Sequence, residues 1–185
     1  MKFVPKRRKK EGKTDYKKRL KLLKSNKTRL VIRRKSNSII IQFVEYSQKG
    51  DKVLQTTSAQ QLDKTGWKGH KGNICSAYLT GLLSGTKAKN NIKEAILDTG
   101  LHKISKGSSI FAALKGVIDS GILIPHSNKN FPSDERIQGK DTEEYAKNLT
   151  KERYEKLFSA YLKKSLKPEE ISKHFQEIKQ KILSK

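Results

Sequence analysis

The stretch from Lys6 to Lys35 constrains this chain more than any other part of it, because positive charge is concentrated there. Of the 42 lysines and arginines in the sequence, 17 lie between Met1 and Lys35, together with only two acidic residues. Charge at this density repels itself unless a polyanion neutralises it, so a nucleic acid is the expected partner. A disordered solubilising tail and a short localisation signal are the two alternative interpretations of such a run.

The composition fits one domain with a modest core and a large charged surface. Hydrophobic residues make up 34% of the 185 residues and charged residues 32%, so the core is expected to be small for the length of the chain. The single cysteine, Cys75, excludes an intramolecular disulfide and is typical of a reducing cytoplasm. A membrane partner is not expected, because the sequence has neither a long apolar run nor the apolar segment of a secretory signal.

The first residues combine basic charge with very little apolar surface. Residues 1–13 are therefore predicted to be extended and unable to fold alone. A short helix is predicted to follow over TDYKKRLKLLKS, capped by Thr14 or Asp15, with Tyr16, Leu20 and Leu23 on its apolar side. We expect this helix to dock on a core through that side, so that it presents its lysines outward and anchors the basic arm.

After this helix the apolar residues change from helical to alternating spacing. Three segments rich in β-branched and aromatic residues predict strands: TRLVIRR, SIIIQFVEY and KVLQTTS. Turn signals at Lys35–Ser38 and at Gly50-Asp51 separate these segments, so an antiparallel meander is expected. A fourth strand, short and buried, is predicted over EAILD.

Two longer helices are predicted in the middle of the chain. The first, NICSAYLTGLLSG, follows a short helix over SAQQLDKTG, and its Gly81 and Gly85 are expected to allow close packing on the sheet. The second, SSIFAALKGVIDS, has Ser108 as its N-cap and Gly121 as its stop. Strands followed by a helix, a strand and a helix indicate the α/β fold class, with a mixed, mostly antiparallel sheet packed with helices.

The composition changes after Pro125, where the chain becomes polar and then, from Asp141, charged and helical in character. Two apolar faces are predicted in this tail: Tyr154, Leu157, Phe158 and Tyr161, and Ile171, Phe175, Ile178 and Ile182. Each face needs a surface to pack on, so the tail is interpreted as an extension folded over the domain or onto a partner. The predicted organisation is a basic arm with a short helix in residues 1–27, an α/β RNA-binding core in 28–125, and a polar linker with a helical C-terminal extension in 126–185.

Neither catalysis nor metal binding is expected. Asp98-Thr99-Gly100 matches the short signature of aspartic proteases, in which two subunits could pair their aspartates, but the same three residues serve equally well as a turn at the end of a strand. The four histidines and Cys75 contain no pair at the spacing of a zinc site, and no second cysteine exists. No cofactor is therefore predicted.

Two basic loops precede the two longer helices. Gly66–Gly72 is glycine-rich, and a helix N-terminus that follows such a loop favours an anion, for example an RNA phosphate. The alternative is a turn whose Trp67 fills the core. The loop lacks the Walker pattern, so nucleotide hydrolysis is not supported and no small-molecule substrate is expected. The second loop, residues 103–109, repeats the arrangement, and the predicted fold could place both loops on one side of the sheet.

Several long segments, in their order along the chain, resemble a known family. These segments are EGKTDYKKRLKLL, TRLVIRRKSNSIIIQ, GWKGHKGNICSAYLTGLL, AILDTGLHKISKGSSIFAALKGVIDSGILIPHS and DERIQGK. The sequence resembles the 5S rRNA-binding protein of the large ribosomal subunit, universal family eighteen, in its archaeal form. The resemblance runs from about Arg8 to about Lys140, and the extended C-terminus favours the archaeal type.

The resemblance implies a mixed α/β core without catalytic activity, placed in the central protuberance of the large subunit of a cytoplasmic ribosome. It implies three kinds of partner: 5S rRNA, the large-subunit rRNA and neighbouring large-subunit ribosomal proteins. Carried over by position, the RNA-binding candidates are Arg7, Arg8, Lys10, Lys13, Thr14, Tyr16, Arg19, Arg33, Arg34, Lys35, Asn37, Lys68, His70, Lys71, Lys103, Lys106 and Ser108. Where the family tends to have arginine this chain often has lysine, which contacts a phosphate as a point charge without a bidentate fork.

The function predicted from the sequence is that of a structural constituent of the large ribosomal subunit that binds 5S rRNA and helps attach it to the large rRNA. The main alternative is a non-ribosomal RNA-binding or ribosome-assembly module that uses the same basic arm. A dimeric aspartic protease built on Asp98-Thr99-Gly100 is the remote alternative.

Overall fold

A four-stranded sheet organises the fold in a computed structural model that describes Val4 and residues 6–184. Its strands are β1 (Arg29–Arg34), β2 (Ile39–Glu45), β3 (Lys52–Ser58) and β4 (Ile96–Asp98). The strand order is β3-β2-β1-β4, with β1·β2 and β2·β3 antiparallel and β1·β4 parallel. The predicted α/β class with a mixed, mostly antiparallel sheet is therefore confirmed. β4 is shorter than predicted and only partly buried at two of its three residues, because it forms an edge of the sheet.

Helices precede, connect and follow the strands. The first four are α1 (Arg7–Lys10), α2 (Tyr16–Leu23), α3 (Ile74–Ala88) and α4 (Ser109–Asp119). The remaining five are α5 (Asp134–Gln138), α6 (Lys140–Lys147), α7 (Lys151–Leu157), α8 (Ser159–Leu162) and α9 (Ile171–Leu183). Short 3₁₀ turns occupy Ala59–Thr65, Asn128–Asn130 and Pro168–Glu170. The first of these turns ends at Gly66, whose φ of 92° is in the left-handed region, so the short helix predicted to stop there is confirmed.

Alternation along β1 and β2 decides which face of the sheet is buried. Leu30 and Ile32 of β1 lie opposite Phe43 and Ile41 of β2, and all four side chains have a relative exposure of 0%. They belong to one apolar core with residues of α3 and α4, which pack on this face. Burying side chains of this size stabilises the fold by roughly 1.5–3 kcal/mol each. On the opposite face of the sheet, Val31 and Val44 are also buried.

Glycines let α3 and α4 approach each other closely. A Cβ atom on Gly81 would lie 2.1 Å from the carbonyl oxygen of Ala113, and one on Gly116 would lie 2.2 Å from that of Tyr78. Because both obstacles are backbone atoms, no side chain fits at either position. The sequence predicts that Gly81 allows close packing on the sheet. This prediction is wrong, because Gly81 packs against α4 and small residues on both helices bring α3 and α4 together.

The C-terminal tail completes the same core instead of forming a separate one. The predicted face of α9 is confirmed, because Ile171, Phe175, Ile178 and Ile182 are all exposed by 1% or less and belong to the main core. α9 packs against α3, and its Phe175 ring lies 5.6 Å from the ring of Tyr78. The other predicted face is wrong at Leu157, which is 56% exposed, whereas Phe158, the residue after α7, is buried and lies 5.5 Å from the Tyr154 ring.

The N-terminal region differs from the sequence prediction at two points. Residues 7–10 form a helical turn, closed by backbone hydrogen bonds such as Glu11 N–H to the Arg7 carbonyl at 3.0 Å, so the predicted extended conformation is wrong there. These local backbone hydrogen bonds form the turn, and none of its four residues is buried. Met1–Phe3 and Pro5, which belong to the same prediction, lie outside the described residues.

The helix predicted after the arm is present, but its docking is not apolar. Asp15 is its N-cap, and the carboxylate accepts hydrogen bonds from the backbone N–H groups of Lys17 and Lys18 at 2.9 and 3.1 Å. None of the eight residues of α2 is buried, and Leu20 is 58% exposed. The predicted apolar docking is therefore wrong at Leu20, whereas Tyr16 and Leu23 are half-buried, and polar side chains link α2 to the sheet.

Candidate RNA interface

The outer face of the sheet forms a groove of about 550 Å³ with α2 and the residues before it. Apolar and amide side chains of the three antiparallel strands form its floor, among them Val31, Gln42 and Val53. The charged side chains around it are Arg8, Lys13, Asp15, Lys18, Arg19, Arg29, Arg33, Asp51 and Asp98. Since six of these are basic and three acidic, the groove carries a net positive charge. We call it the arm groove.

An ion-pair network built around the buried Arg29 and Asp98 lies under one end of the arm groove. Arg29, only 3% exposed, pairs with Asp51 at 2.6 Å and with Asp98 at 3.0 Å. Arg19 of α2 reaches the same Asp51 through both guanidinium nitrogens, at 2.8 and 2.9 Å. Arg33 binds Asp98 from the other side, at its carboxylate (3.3 Å) and at its carbonyl oxygen (2.7 Å). Three guanidinium groups thus neutralise two carboxylates and leave one positive charge in excess.

The network shifts the pKa of Asp51. Burial on its own raises the pKa of this carboxyl, but the hydrogen bonds from Arg19 and Arg29 outweigh burial and hold the pKa below its usual value. The same contact with Asp51 raises the pKa of the Arg19 guanidinium. Both groups therefore stay charged at neutral pH, which keeps the link between α2 and the sheet intact.

The Asp98-Thr99-Gly100 segment serves as an anchor for α2. Lys18 donates from Nζ to Thr99 Oγ1 and to the Gly100 carbonyl oxygen, both at 3.0 Å. The backbone N–H of Gly100 donates to Asp98 Oδ1 at 2.8 Å, and Gly100 has a φ of 59°. This is a turn whose carboxylate is occupied by Arg29 and Arg33, and a protease would need that carboxylate to be available to a second aspartate.

The glycine-rich loop adopts the alternative in which its tryptophan fills the core. Trp67 is 2% exposed and stacks on the ring of His174, with 5.2 Å between ring centroids. His174 Nε2 accepts a hydrogen bond from the backbone N–H of Lys68 at 3.1 Å, and burial lowers the pKa of His174, which favours the neutral ring that this bond needs. The N–H of Gly72 donates to His70 Nδ1 at 3.0 Å. These backbone donors are therefore used inside the protein, and side chains remain for an RNA contact.

Side chains of the same loop surround a hollow of about 240 Å³. Its basic and polar lining residues are Asn37, Lys68, His70, Lys71 and Lys164. Lys71 also pairs with Asp63, whereas Lys68 and His70 are exposed. Lys164 was not predicted, because nothing in the sequence indicates that the C-terminal tail returns to this loop. We call this site the loop hollow.

A third depression, of about 470 Å³, lies where the N-termini of α3 and α4 meet. Arg34, Gly72, Lys106 and Ser108 line it, which confirms that the two basic loops lie on the same side of the molecule. Arg136, from the segment after Pro125, also lines it and was not predicted. We call this site the helix-terminus cleft.

The structure gathers most of the predicted RNA-binding residues at these three sites. The arm groove contains Arg8, Lys13, Thr14, Arg19 and Arg33. The loop hollow contains Asn37, Lys68, His70 and Lys71, and the helix-terminus cleft contains Arg34, Lys106 and Ser108. The other five predicted residues line none of the three: Arg7, Lys10, Tyr16, Lys35 and Lys103. Four of them are exposed, and the Tyr16 ring is covered on one side by Lys6 Nζ at 4.7 Å from its centroid.

Within residues 6–184 and Val4, no three histidine, cysteine, aspartate or glutamate side chains come together in a group that could hold a metal ion. No helix in this described part of the chain is long and apolar enough to cross a membrane.

Comparison with known proteins identifies relatives across almost the whole chain. The model of the family described as "Ribosomal large subunit proteins 60S L5, and 50S L18" matches residues 2–95 and 86–127. "Large ribosomal subunit protein uL18" of Methanococcus maripaludis is 49% identical over 184 residues, which cover 98% of this chain and 95% of that protein.

Proposed function

Because this chain belongs to the family of ribosomal large-subunit proteins that includes 60S L5 and 50S L18, we propose that it binds 5S rRNA and helps attach it to the large rRNA in the central protuberance. Proteins of this family are structural rather than enzymatic components of the large subunit. Neighbouring large-subunit proteins complete the set of proposed partners.

The observation that carries the proposal is that the three basic sites adjoin along the β1–β2 hairpin. Arg33 lines the arm groove, Arg34 the helix-terminus cleft, and Asn37 the loop hollow. One turn of chain thus borders all three sites, and together they offer a basic surface much longer than a single phosphate. A folded RNA with several phosphates in fixed positions is the ligand that such a surface fits.

This surface recognises RNA through its backbone and shape. The deep, narrow major groove of A-form RNA hides its base edges, so side chains address phosphates and ribose hydroxyls. Lys68, Lys103 and Lys106 are exposed lysines that act as point charges on phosphates. The guanidinium groups of Arg19 and Arg33 are bound by Asp51 and Asp98. They therefore add to the positive potential of the groove, but they are not free to form a bidentate contact with a phosphate.

The residues proposed to contact or attract the RNA are those of the three sites together with Arg7, Lys10, Tyr16, Lys35 and Lys103. We assign RNA contact to the arm in residues 1–27 and to the core in residues 28–125. The C-terminal extension in residues 126–185 supports the loop hollow through Tyr161, whose hydroxyl accepts the backbone N–H of His70 at 3.2 Å.

The salt dependence of RNA affinity tests this proposal. If the surface neutralises about six phosphates, log Kd should rise with log salt concentration with a slope of about 5. The measurement is a titration of labelled 5S rRNA at several salt concentrations, with a random duplex RNA of equal length as the control. We expect tighter binding to 5S rRNA at every salt concentration.

A slope near zero, or equal affinity for the two RNAs, would contradict the proposal. A second measurement separates an integral component from a transient assembly factor. After a high-salt wash, the integral protein should still sediment with large subunits, whereas an assembly factor should appear in the supernatant.

A further inference from the structure

The helix-terminus cleft has the chemistry of an anion site. Two helices begin at its wall, α3 with 15 residues and α4 with 11. The first turn of a helix leaves backbone N–H groups without intrahelical partners and carries a partial positive charge. Two such turns that face one depression raise its potential together.

The two helix termini differ in how their N-caps are used. At α3, Asn73 Oδ1 accepts the backbone N–H of Ser76 at 2.8 Å, which is an ordinary side-chain cap. At α4, Ser108 has the extended backbone of an N-cap, with φ −76° and ψ 162°, but its hydroxyl makes no cap hydrogen bond. Ser108 therefore occupies the predicted N-cap position, but it does not form the hydrogen bond of an N-cap. The first turn of α4 has no side-chain cap from this residue.

Buried hydroxyl groups beside this turn provide a second, independent indication of a ligand. Ser109 is 93% buried, lines the cleft, and its Oγ has no hydrogen-bond partner among the described residues. Ser108 is only half-buried as a residue, but its Oγ atom is also buried and without a hydrogen-bond partner among the described residues. Folded proteins rarely leave a buried polar atom unsatisfied, and such an atom beside a depression calls for a partner from outside the chain.

The charges around the cleft select an anion as that partner. Arg34 and Lys106 line the cleft, and neither side chain has an ion pair within the described part of the chain. The one carboxylate in the lining, Asp141, lies 3.5 Å from Arg136 Nε, which offsets its charge. The lining thus carries three positive charges and one negative charge.

We propose that the helix-terminus cleft binds one phosphate group of the RNA backbone. Ser109 Oγ and the free N–H groups of the first turn of α4 donate hydrogen bonds to its oxygens, and Arg34 and Lys106 supply the balancing charge. This inference rests on the proposed function, and it adds a defined phosphate site to a surface otherwise described by its charge. A backbone phosphate is favoured over free phosphate because the cleft adjoins the arm groove at Arg33-Arg34 and the loop hollow at Lys71-Gly72.

The substitution Ser109→Ala tests this site with a matched control. It removes a hydroxyl that has no hydrogen-bond partner in the described part of the chain, so thermal stability should stay the same or rise slightly. Affinity for 5S rRNA should fall about tenfold, because a hydrogen bond to a charged phosphate is lost. The control is Ser84→Ala, since Ser84 Oγ is also buried and without a partner among the described residues but lies in α3 outside the cleft. Ser84→Ala should leave the affinity unchanged.

Salt dependence gives an independent readout. Ser109→Ala removes a neutral donor and should leave the slope of log Kd against log salt unchanged. Lys106→Gln removes a cation from an exposed side chain, where misfolding is not expected, and should reduce that slope by about one. A slope that Lys106→Gln does not change would overturn the assignment of this lysine to a phosphate.

The two proposals can fail separately. If Ser109→Ala binds 5S rRNA as tightly as Ser84→Ala does, the phosphate site is wrong while 5S rRNA binding stands. If the unsubstituted protein does not prefer 5S rRNA over random duplex RNA, the proposed function is wrong, and the effect of Ser109→Ala on duplex affinity still decides the phosphate site. A titration with inorganic phosphate, followed by the NMR amide shifts of Ser109 and Ile110, identifies the source of the phosphate. If these shifts saturate while Ser109→Ala leaves RNA affinity unchanged, the cleft binds free phosphate, and the proposal that it binds a phosphate of the RNA backbone is wrong.

Discussion

At the scale of single residues, Arg29 is the side chain that links the two carboxylates beneath the arm groove. It is 3% exposed and forms ion pairs with two carboxylates that come from the β2–β3 turn and from the end of β4. Removing one partner of a buried pair leaves uncompensated charge in a medium of low dielectric constant, which costs more than the pair contributes. Arg29 therefore holds two distant segments of the chain together.

Arg29→Met should lower the free energy of unfolding by about 1–3 kcal/mol, because Asp98 loses its buried partner, whereas Asp51 keeps Arg19 and Asp98 keeps Arg33. Urea denaturation at neutral pH measures this change. Arg34→Met in the same strand is the control, since the Arg34 side chain is exposed and its loss should change stability by less than about 0.5 kcal/mol. Equal losses for the two variants would show that the buried network does not stabilise the fold.

The stabilising effect of Asp51 should disappear in acid. Its pKa in the folded protein lies below the ordinary value of 3.8, so its contribution is present above that value and is lost as the pH falls through the folded pKa. Asp51→Asn should therefore be less stable than the unsubstituted protein at pH 6 and converge with it near pH 2. Thermal unfolding across this range measures the difference, and a constant difference would contradict the assignment.

At the scale of secondary-structure elements, the sequence predicts best what local periodicity determines. The alternation in TRLVIRR and SIIIQFVEY identifies β1 and β2, and the spacing of Ile171, Phe175, Ile178 and Ile182 identifies the buried face of α9. The docking of α2 could not be predicted in this way. It depends on Arg19 meeting Asp51 and on Lys18 meeting Thr99, which are 32 and 81 residues apart in the chain.

In the candidate RNA interface, too, the sequence predicts the local features and not the contacts between distant residues. Basic residues in the arm, the hairpin and the two loops are visible in the sequence, and the structure places most of them at three adjoining sites. The sequence does not show which of these cations are neutralised internally, as Arg33 is by Asp98. It also does not show that Ser109 is a buried hydroxyl without a partner, since that depends on the packing of the first turn of α4.

The contact between α3 and α4 makes a prediction at this scale. Gly81→Ala should destabilise the protein by about 1–3 kcal/mol, because the new methyl group meets the backbone of Ala113 and the helices must separate. Gly85→Ala is the graded comparison, since its Cβ atom would meet the Ser120 side chain, with Oγ at 1.8 Å and Cβ at 2.7 Å, and the nearest backbone atom, the Val117 carbonyl oxygen, only at 3.2 Å. Denaturant unfolding of both variants should rank Gly81→Ala as the less stable, and the reverse order would contradict this account of the interface.

At the scale of the whole molecule, charge and folding energy are carried by different parts of the chain. The described residues before Lys13 are all exposed, while the core is built from the sheet, α3, α4 and α9. The segment from Met1 to Gly12 contains six lysines or arginines and one glutamate. It thus contributes strongly to the electrostatic attraction of RNA and contributes no buried apolar side chain among its described residues.

Deletion of Met1–Gly12 should therefore weaken RNA binding and leave the core folded. We expect a lower affinity for 5S rRNA and a shallower salt slope, since fewer counterions are released from the RNA. Thermal unfolding should remain cooperative with nearly the same midpoint, because no buried apolar area is removed from the described structure. Loss of cooperative unfolding in the shortened protein would show that this segment is part of the core structure.

The polar attachment of α2 has a kinetic consequence for association with RNA. Arg19 and Lys18 hold this helix in place through bonds made entirely within the protein, so its conformational entropy is lost during folding and not during the encounter with RNA. A preorganised surface binds with a smaller entropic penalty and does not have to wait for a segment to order. The helix therefore offers its cations to the first RNA contact in their final positions, and formation of the complex depends on collision and charge.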